Sequence, residues 1–251
     1  MERSRRPVLS AGEAPAAMLA AIVPPGGIVA EVFDDRFDAC KLFAAEEADL
    51  ARAAPRRRRE FTGVRTCARR ALASAGFDPA PIPRAPSGAP VWPPGVVGAM
   101  THCDGYRGCA IGLAEEFAAI GVDAEPHDVL PGGVLPMVAS EPERAALAGL
   151  ATAAPGPCWE RILFSAKESV YKAWFPATGR WLGFTDAELT LDPSGTFAAR
   201  LLVPGPVVGG RPITGYHGRW IVGHGLIATA VVVPAAGAAA SPPPLPRLSR
   251  P

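Results

Sequence analysis

Two acids stand one residue apart inside an apolar run, "FAAIGVDAEP" at residues 117–126, and that arrangement restricts what the surrounding chain can become. As a strand, the run puts Ile120, Val122 and Ala124 on one face and Asp123 and Glu125 on the other, because side chains alternate. The apolar face suits a core. The acidic face carries carboxylates on alpha carbons about 6.6 Å apart, which repel unless a cation or a hydrogen-bond donor sits between them. Any fold of this chain must leave that face beside something positive.

Prolines and glycines divide the rest. "EEADLARAAPRRRREFTGVRTCARRALASAG" reads as two helical pieces broken at Pro55, the second stopped by Gly76. After the loop "FDPAPIPRAPSGAPVWPPG", "VVGAMTHCDGYRGCAIGLA" reads as strand, polar turn and strand, ahead of the acid-bearing strand. Beyond the loop "PHDVLPGGVLP", Ser140 is placed to cap a helix, with Glu143 completing a capping box. "CWERILFSAKESVYKAWF" puts Leu163, Ala166, Val170, Ala173 and Trp174 on one helical face. Two hairpins close the chain, one turning at Asp192 to Gly195 and the other around Gly223 to Gly225. Helices and strands in both halves predict an α+β fold of two similar subdomains meeting at a cleft near residue 120. The boundaries expected are residues 16–118 and 119–236, with a flexible tail at 1–15 and a disordered Pro/Ala-rich tail at 237–251.

Composition excludes several classes. A net charge of +1 over 251 residues does not suit a general nucleic-acid coat, which needs many phosphate neutralisations. Five cysteines without a CxxC pair fit a reducing compartment. The twin arginine Arg5 and Arg6 is followed by Glu13 and Pro15, which interrupt an export signal, and Pro234 ends the longest apolar run, "LIATAVVV". A cytoplasmic protein with neither membrane nor nucleic-acid partner is expected.

On the helix "FSAKESVYKAWF", Glu168 and Lys172 are i,i+4 neighbours with Tyr171 beside them, while Lys167 is turned by about 100°. One reading is a surface salt bridge worth about 0.2–0.5 kcal/mol. The other makes Glu168 a third carboxylate facing Asp123 and Glu125, with the lysines contacting phosphate. A hard cation with oxygen ligands would relieve the acids, and Mg²⁺ fits, since it is often held by a few carboxylates plus substrate phosphate. No Cys and His spacing suggests zinc.

Taken in order, these stretches resemble the phosphopantetheinyl transferase superfamily in its larger single-chain form. That family carries G-[VI]-D-x-E on a strand and W-x-x-K-E-x-x-x-K on a later helix. Here they stand as Gly121, Val122, Asp123, Ala124 and Glu125, then Phe164 in place of Trp, Lys167, Glu168 and Lys172. "MTHCDGYRGCA" resembles its [ST]-H-x-x-G-[YW] stretch through Thr101, His102, Gly105 and Tyr106. The likeness covers about residues 40 to 232, and "AEPHDVLP" and "YKAWFP…RWLGF" resemble the actinobacterial type.

The resemblance implies two subdomains in a pseudo-twofold arrangement with the active site at their interface. It implies transfer of the 4'-phosphopantetheine arm of coenzyme A to a serine of apo acyl carrier or peptidyl carrier proteins, in a monomer that uses Mg²⁺, with Mn²⁺ as a substitute. Asp123, Glu125 and Glu168 would hold the metal. Glu168 would also serve as general base, and Lys172 and Lys167 would contact phosphate. Thr101 and His102 would bind phosphate near the adenosine end. Arg57, Arg65 and Arg84 would take the 3'-phosphate, a job suited to bidentate guanidinium. Other readings of the same residues are a Mg²⁺-dependent nucleotide phosphohydrolase and a coenzyme A binding module without catalysis.

The remaining candidates read as structural or peripheral. Trp92, Trp159, Trp174, Trp181 and Trp220 are expected mainly in packing. His127 reads as a loop residue. Val134, Leu135 and Met137 are divided between a core role and contact with a carrier protein.

Overall fold

A computed structural model describes residues 17–33 and 39–237. The expected tail at 1–15, with Arg5 and Arg6, lies outside the described residues, as does 238–251 of the C-terminal one.

The N-terminal half opens with α1 (Leu19–Ile22) and β1 (Ile28–Val32), two elements the sequence reading passed over. Glu31 on β1 ties them together. Its carboxylate accepts from the backbone N–H groups of Met18, Leu19 and Ala20 and from the Tyr106 hydroxyl. The helical stretch breaks at Pro55 as expected, into α2 (Ala44–Ala48) and α3 (Pro55–Ser74). Pro55 takes the first turn of α3, where its missing N–H costs nothing, and Gly76 follows the helix with φ +83°. β2 (Val96–Cys103) and β3 (Tyr106–Leu113) complete an antiparallel sheet in the order β1-β3-β2. Cys67, Ala68, Ala71 and Leu72 of α3 pack on that sheet against Cys109 and Ile111.

The C-terminal half begins with the acid-bearing strand, β4 (Phe117–Pro126). One helical turn, α4 (Leu135–Val138), begins at the end of the stretch read as loop and is followed by α5 (Glu141–Ala153), with Ser140 and Glu143 forming the expected capping box. Next come α6 (Trp159–Thr178), the hairpin β5 (Ala187–Asp192) and β6 (Thr196–Leu201), the short pair β7 (Val207–Val208) and β8 (Arg211–Pro212), and the hairpin β9 (Gly215–Gly223) and β10 (Leu226–Pro234). The main sheet is antiparallel in the order β4-β10-β9-β6-β5, and α6 packs across it through Leu163, Ala166, Val170, Ala173 and Trp174.

The chain is thus α+β, in two subdomains that each lay a 20-residue helix across an antiparallel sheet. The sheets have three and five strands, so the halves are alike in plan and unequal in extent. A third core joins them: Ile120, Val122 and Ala124 on β4 pack with Leu19, Ala99, Tyr106 and Ala110. The apolar face of the acid-bearing strand is therefore the seam between halves.

Trp159, Trp174 and Trp220 are buried and Trp92 is half-buried, donating from its indole to the Gly98 carbonyl. Trp181 departs from the expected packing role. It is 74% exposed, with its ring 5.0 Å from that of Tyr171. No helix among the described residues is long and apolar enough to cross a membrane.

Candidate active site

The acidic face of β4 meets α6 because Gly121 has no side chain. A Cβ there would lie 2.0 Å from the Ser169 carbonyl oxygen and 2.6 Å from the Ala173 nitrogen. The helix backbone rests directly on the strand, which brings α6 side chains to Asp123. Asp123 is buried, and three donors reach it: Lys172 Nζ at 2.7 Å and Thr101 Oγ1 at 3.2 Å on Oδ1, and Ser165 Oγ at 2.8 Å on Oδ2. Thr101 also accepts from the Ala124 N–H at 2.9 Å, which ties β2 to β4 across the seam. Behind Asp123, Ser165 and Ser169 share hydroxyl hydrogen bonds with Thr229 of β10. The cation the acid pair demanded is Lys172 for Asp123. For Glu125 it is Arg161, whose Nη1 donates to Oε2 at 3.0 Å. Arg161 also donates to the carbonyls of Asp128 and Val129, clamping the loop after β4 onto α6.

Two cations do not fully offset three crowded acids. Burial, then the neighbouring Asp123, pushes the Glu125 carboxyl up to about 7, with Arg161 opposing. The same two causes raise Glu168, with Lys172 opposing. Among the described residues, no three such side chains converge closely enough to form a ready metal cluster. The donor chemistry nevertheless fits a divalent cation, since oxygen ligands that hold one another's acidity down gain most from a hard positive charge.

Beside the acids opens a cleft of about 440 Å³. Eight of the ten expected residues line it: Arg57, Arg65, Arg84, Thr101, His102, Asp123, Glu168 and Lys172. Four of its basic side chains come from three elements. Arg57 and Arg65 come from α3, two turns apart, His102 from β2 and Arg84 from the proline-rich loop. Arg65 is buried, its guanidinium 3.6 Å from the Phe61 ring centre and donating to the Ile82 carbonyl, while its Nε has no partner. Burial pulls its pKa down to about 10, still charged at neutral pH. An orphaned buried donor on a cation is a place an anion satisfies. Gly88, at φ +92°, sits where a Cβ would lie 3.0 Å from Arg84 Nη2, so the loop makes room for that guanidinium. Glu60 on α3 also lines the cleft, 3.3 Å from His102 Nε2.

Glu125 and Lys167 lie outside the cleft lining. Lys167, expected at phosphate, has its buried ammonium donating to Glu143 at 2.8 Å and to the Phe184 carbonyl at 2.7 Å, inside the C-terminal subdomain. Glu143 accepts from Leu189 N–H as well, so the capping residue of α5 also anchors α6 and β5. Of the two readings of this helix, the surface pair between Glu168 and Lys172 is not formed among the described residues; Lys172 pairs with Asp123. His127 is the loop residue expected, accepting from the Cys158 N–H at 2.9 Å. Leu135 packs against the C-terminal core, whereas Met137 is 66% exposed. Four residues of the site went unread: Glu60, Arg161, Ser165 and Thr229. Ser165, four residues before Ser169 on the same side of α6, was visible as one of a pair of small polar positions beside the apolar stripe; Glu60, Arg161 and Thr229 gave no local signal.

A cleft that gathers carboxylates with arginines, a histidine and a lysine is suited to phosphoryl-type group transfer. Residues 45–112 match the family model described as the 4'-phosphopantetheinyl transferase N-terminal domain, and residues 119–213 match that of the 4'-phosphopantetheinyl transferase superfamily. The chain is 53% identical over 221 residues to the 4'-phosphopantetheinyl transferase Svp of Streptomyces mobaraensis, covering 87% of this chain and 90% of that protein. It is 49% identical over 194 residues to the transferase PptT of Mycobacterium tuberculosis, covering 75% and 85%. Identity to the transferase Npt of Nocardia iowensis is 45% over 223 residues, covering 85% and 99%. This chain belongs to the 4'-phosphopantetheinyl transferase superfamily, as an enzyme of that activity.

Proposed function

We propose that the enzyme moves the 4'-phosphopantetheine arm of coenzyme A onto a serine hydroxyl of apo acyl carrier or peptidyl carrier proteins, of fatty acid, polyketide or nonribosomal peptide synthases. The observation that carries this reading is one cleft lined both by Arg57, Arg65, Arg84 and His102 and by Asp123, Glu168 and Lys172. A 3'-phosphate suits the first group and a diphosphate the second. Such a ligand spans residues 16–118 on its adenosine side and 119–236 on its reacting side, the two subdomain ranges we assign.

In the reaction the serine oxygen bonds to the phosphorus bearing the pantetheine arm, the bond from that phosphorus to the bridging oxygen breaks, and adenosine 3',5'-bisphosphate leaves. Glu168 takes the serine proton; burial raises its carboxyl toward the range useful to a general base. Lys172 sits where negative charge develops on the phosphate oxygens, and Thr101 holds Asp123 in place. Asp123, Glu125 and Glu168 would hold Mg²⁺, which supplies charge neutralisation on the diphosphate. Exposed Val129 and Met137, 64% and 66% accessible beyond the acid strand, offer apolar contact to the carrier. One chain provides both walls of the cleft, which supports a monomer, and the five free cysteines suit the cytoplasm.

Intact mass of a promiscuous apo carrier protein tests the assignment. After incubation with enzyme, coenzyme A and Mg²⁺ the carrier should gain one phosphopantetheine arm, with adenosine 3',5'-bisphosphate released only when carrier is present and the gain abolished by a chelator. Coenzyme A cleavage without a carrier would instead indicate a phosphohydrolase.

A further inference from the structure

Glu60 is a cleft carboxylate set against Arg57 and His102, two side chains assigned to an anionic ligand. Glu60 lines that cleft with its side chain 16% exposed. It is held there: Arg56 Nε donates to Oε1 at 2.9 Å and Arg57 Nη1 lies 3.6 Å from Oε2. The hydrogen bond from Arg56, with help from His102, keeps Glu60 below the usual carboxylate range, so it is an anion at neutral pH. Its third neighbour is His102, whose Nε2 is 3.3 Å from Oε2. The two residues come from different elements, α3 and β2, and only the packing of helix on sheet pairs them.

The imidazole has two nitrogens. The neutral tautomer that offers Glu60 an N–H carries its proton on Nε2, 3.3 Å from Oε2, and leaves a bare lone pair on Nδ1, an acceptor that cannot donate to phosphate. A second proton is needed before the ring can contact an anion with Nδ1. We propose that Glu60 is a positioning residue that fixes the His102 ring and stabilises its cationic form, so that the enzyme takes one proton from solvent onto His102 as the 3'-phosphate of coenzyme A docks. This rests on the reading that His102 faces that phosphate.

The charges around His102 support the linkage. Arg57 on α3 and Lys172 on α6 disfavour the imidazolium in the free enzyme, and Glu60 favours it. Arg107 is the register partner of His102 on β3, and Asp104 in the intervening turn is itself paired with Arg56. Desolvation is the largest influence and lowers the pKa of His102, so the ring of the empty enzyme is neutral above that lowered value. A docking phosphate adds negative charge that tips the balance, with Glu60 already placed behind the ring. The sign is diagnostic. A phosphate monoester with its own second pKa near 6 would, among cations, lose a proton on binding rather than gain one.

Calorimetric titration of coenzyme A into the metal-free enzyme at pH 7.5, in buffers of different ionisation enthalpy, measures the protons exchanged; 3'-dephospho-coenzyme A serves as reference. We expect an uptake approaching one proton that requires the 3'-phosphate, lost in Glu60→Gln and in His102→Gln and lost no further in the double variant. Glu60→Gln should weaken coenzyme A about tenfold and the dephospho analogue little. Uptake dependent on the 3'-phosphate that persists in Glu60→Gln would overturn the role of Glu60. If His102→Gln leaves discrimination between the two ligands unchanged, the placement of His102 at the phosphate fails instead. A melting temperature within a few degrees of wild type shows that Glu60→Gln is folded. If it is not, Glu60→Asp, which keeps the charge, should retain the uptake, and its loss there with tight binding intact would equally overturn the proposal.

Discussion

Lys172 Nζ lies 2.7 Å from Asp123 Oδ1, a contact between α6 and β4 that joins residues 49 apart in the chain. It spends the lysine on the strand acid and leaves Glu168, one turn earlier on the helix, without a salt bridge among the described residues. Two carboxylates of unequal environment result: Asp123 held by three donors, and Glu168 raised in pKa by burial and by Asp123.

That inequality predicts different outcomes for two variants. Lys172→Ala removes both the partner of Asp123 and a cation of the cleft, and kcat/KM for carrier modification should fall by about 100-fold or more. Glu168→Gln removes the proposed base at nearly constant size, so transfer should be abolished while the melting temperature changes little. Single-turnover mass measurements on the carrier check both; near-normal turnover of Glu168→Gln rules out the base.

Gly121→Ala tests whether helix position is what assembles the acids. The added methyl meets backbone atoms at 2.0 and 2.6 Å, which cannot swing aside, so α6 must shift. A loss of about 1–3 kcal/mol is expected, a drop in melting temperature of about 3–10 °C. Activity should fall by about 100-fold, beyond what instability explains, because a displacement near 1 Å misaligns reacting groups. Thermal melts and kcat at a temperature where both proteins are folded separate the two effects.

Glu125 gives a signed pH dependence in chelator-treated protein. Its carboxyl titrates near 7 in the folded chain against an ordinary 4.5, so between those values the folded state binds more protons than the unfolded state. The stability from this group is present below about pH 4.5 and is lost as pH rises toward 7. Relative to Glu125→Gln, the wild type should therefore lose stability across that window, by about 3 kcal/mol at most, and run parallel above it. Urea unfolding of both proteins at pH 5, 6, 7 and 8 measures the slope; an opposite slope refutes the environment described for Glu125.

Arg84→Ala is expected to weaken coenzyme A by about tenfold to 100-fold, and the analogue lacking the 3'-phosphate much less, as for loss of a charged hydrogen bond of about 1.5–3 kcal/mol. Direct binding of both ligands decides it, and equal losses would place Arg84 elsewhere.

Lys167→Ala should act on stability first. Its ammonium is the buried partner of Glu143, and truncation leaves that carboxylate uncompensated, costing about 3–5 kcal/mol. Lys167→Ala with Glu143→Gln should recover part of the loss. If stability is unchanged while coenzyme A binding falls, the lysine turns to phosphate after all.

The local chemistry of this protein was legible in the sequence because its signals are short in range. Alternation along residues 117–126 alone determined which side chains are core and which are acid. Pro55, Ser140 with Glu143, and the turns at 192–195 and 223–225 marked real element ends, since turn and cap chemistry acts within a few residues. α1 and β1 escaped notice because the Glu31 carboxylate that joins them reaches for Tyr106, 75 residues away.

Only the tertiary structure decided who pairs with whom. Helical spacing placed Glu168 beside Lys172, yet Lys172 went to Asp123, Lys167 to Glu143 and Arg161 to Glu125, the last across 36 residues. A long flexible cation takes the nearest desolvated carboxylate, and which one is nearest depends on how α6 lies over β4. Gly121 fixes that close approach: its identity stands in the sequence, and what it lets touch does not.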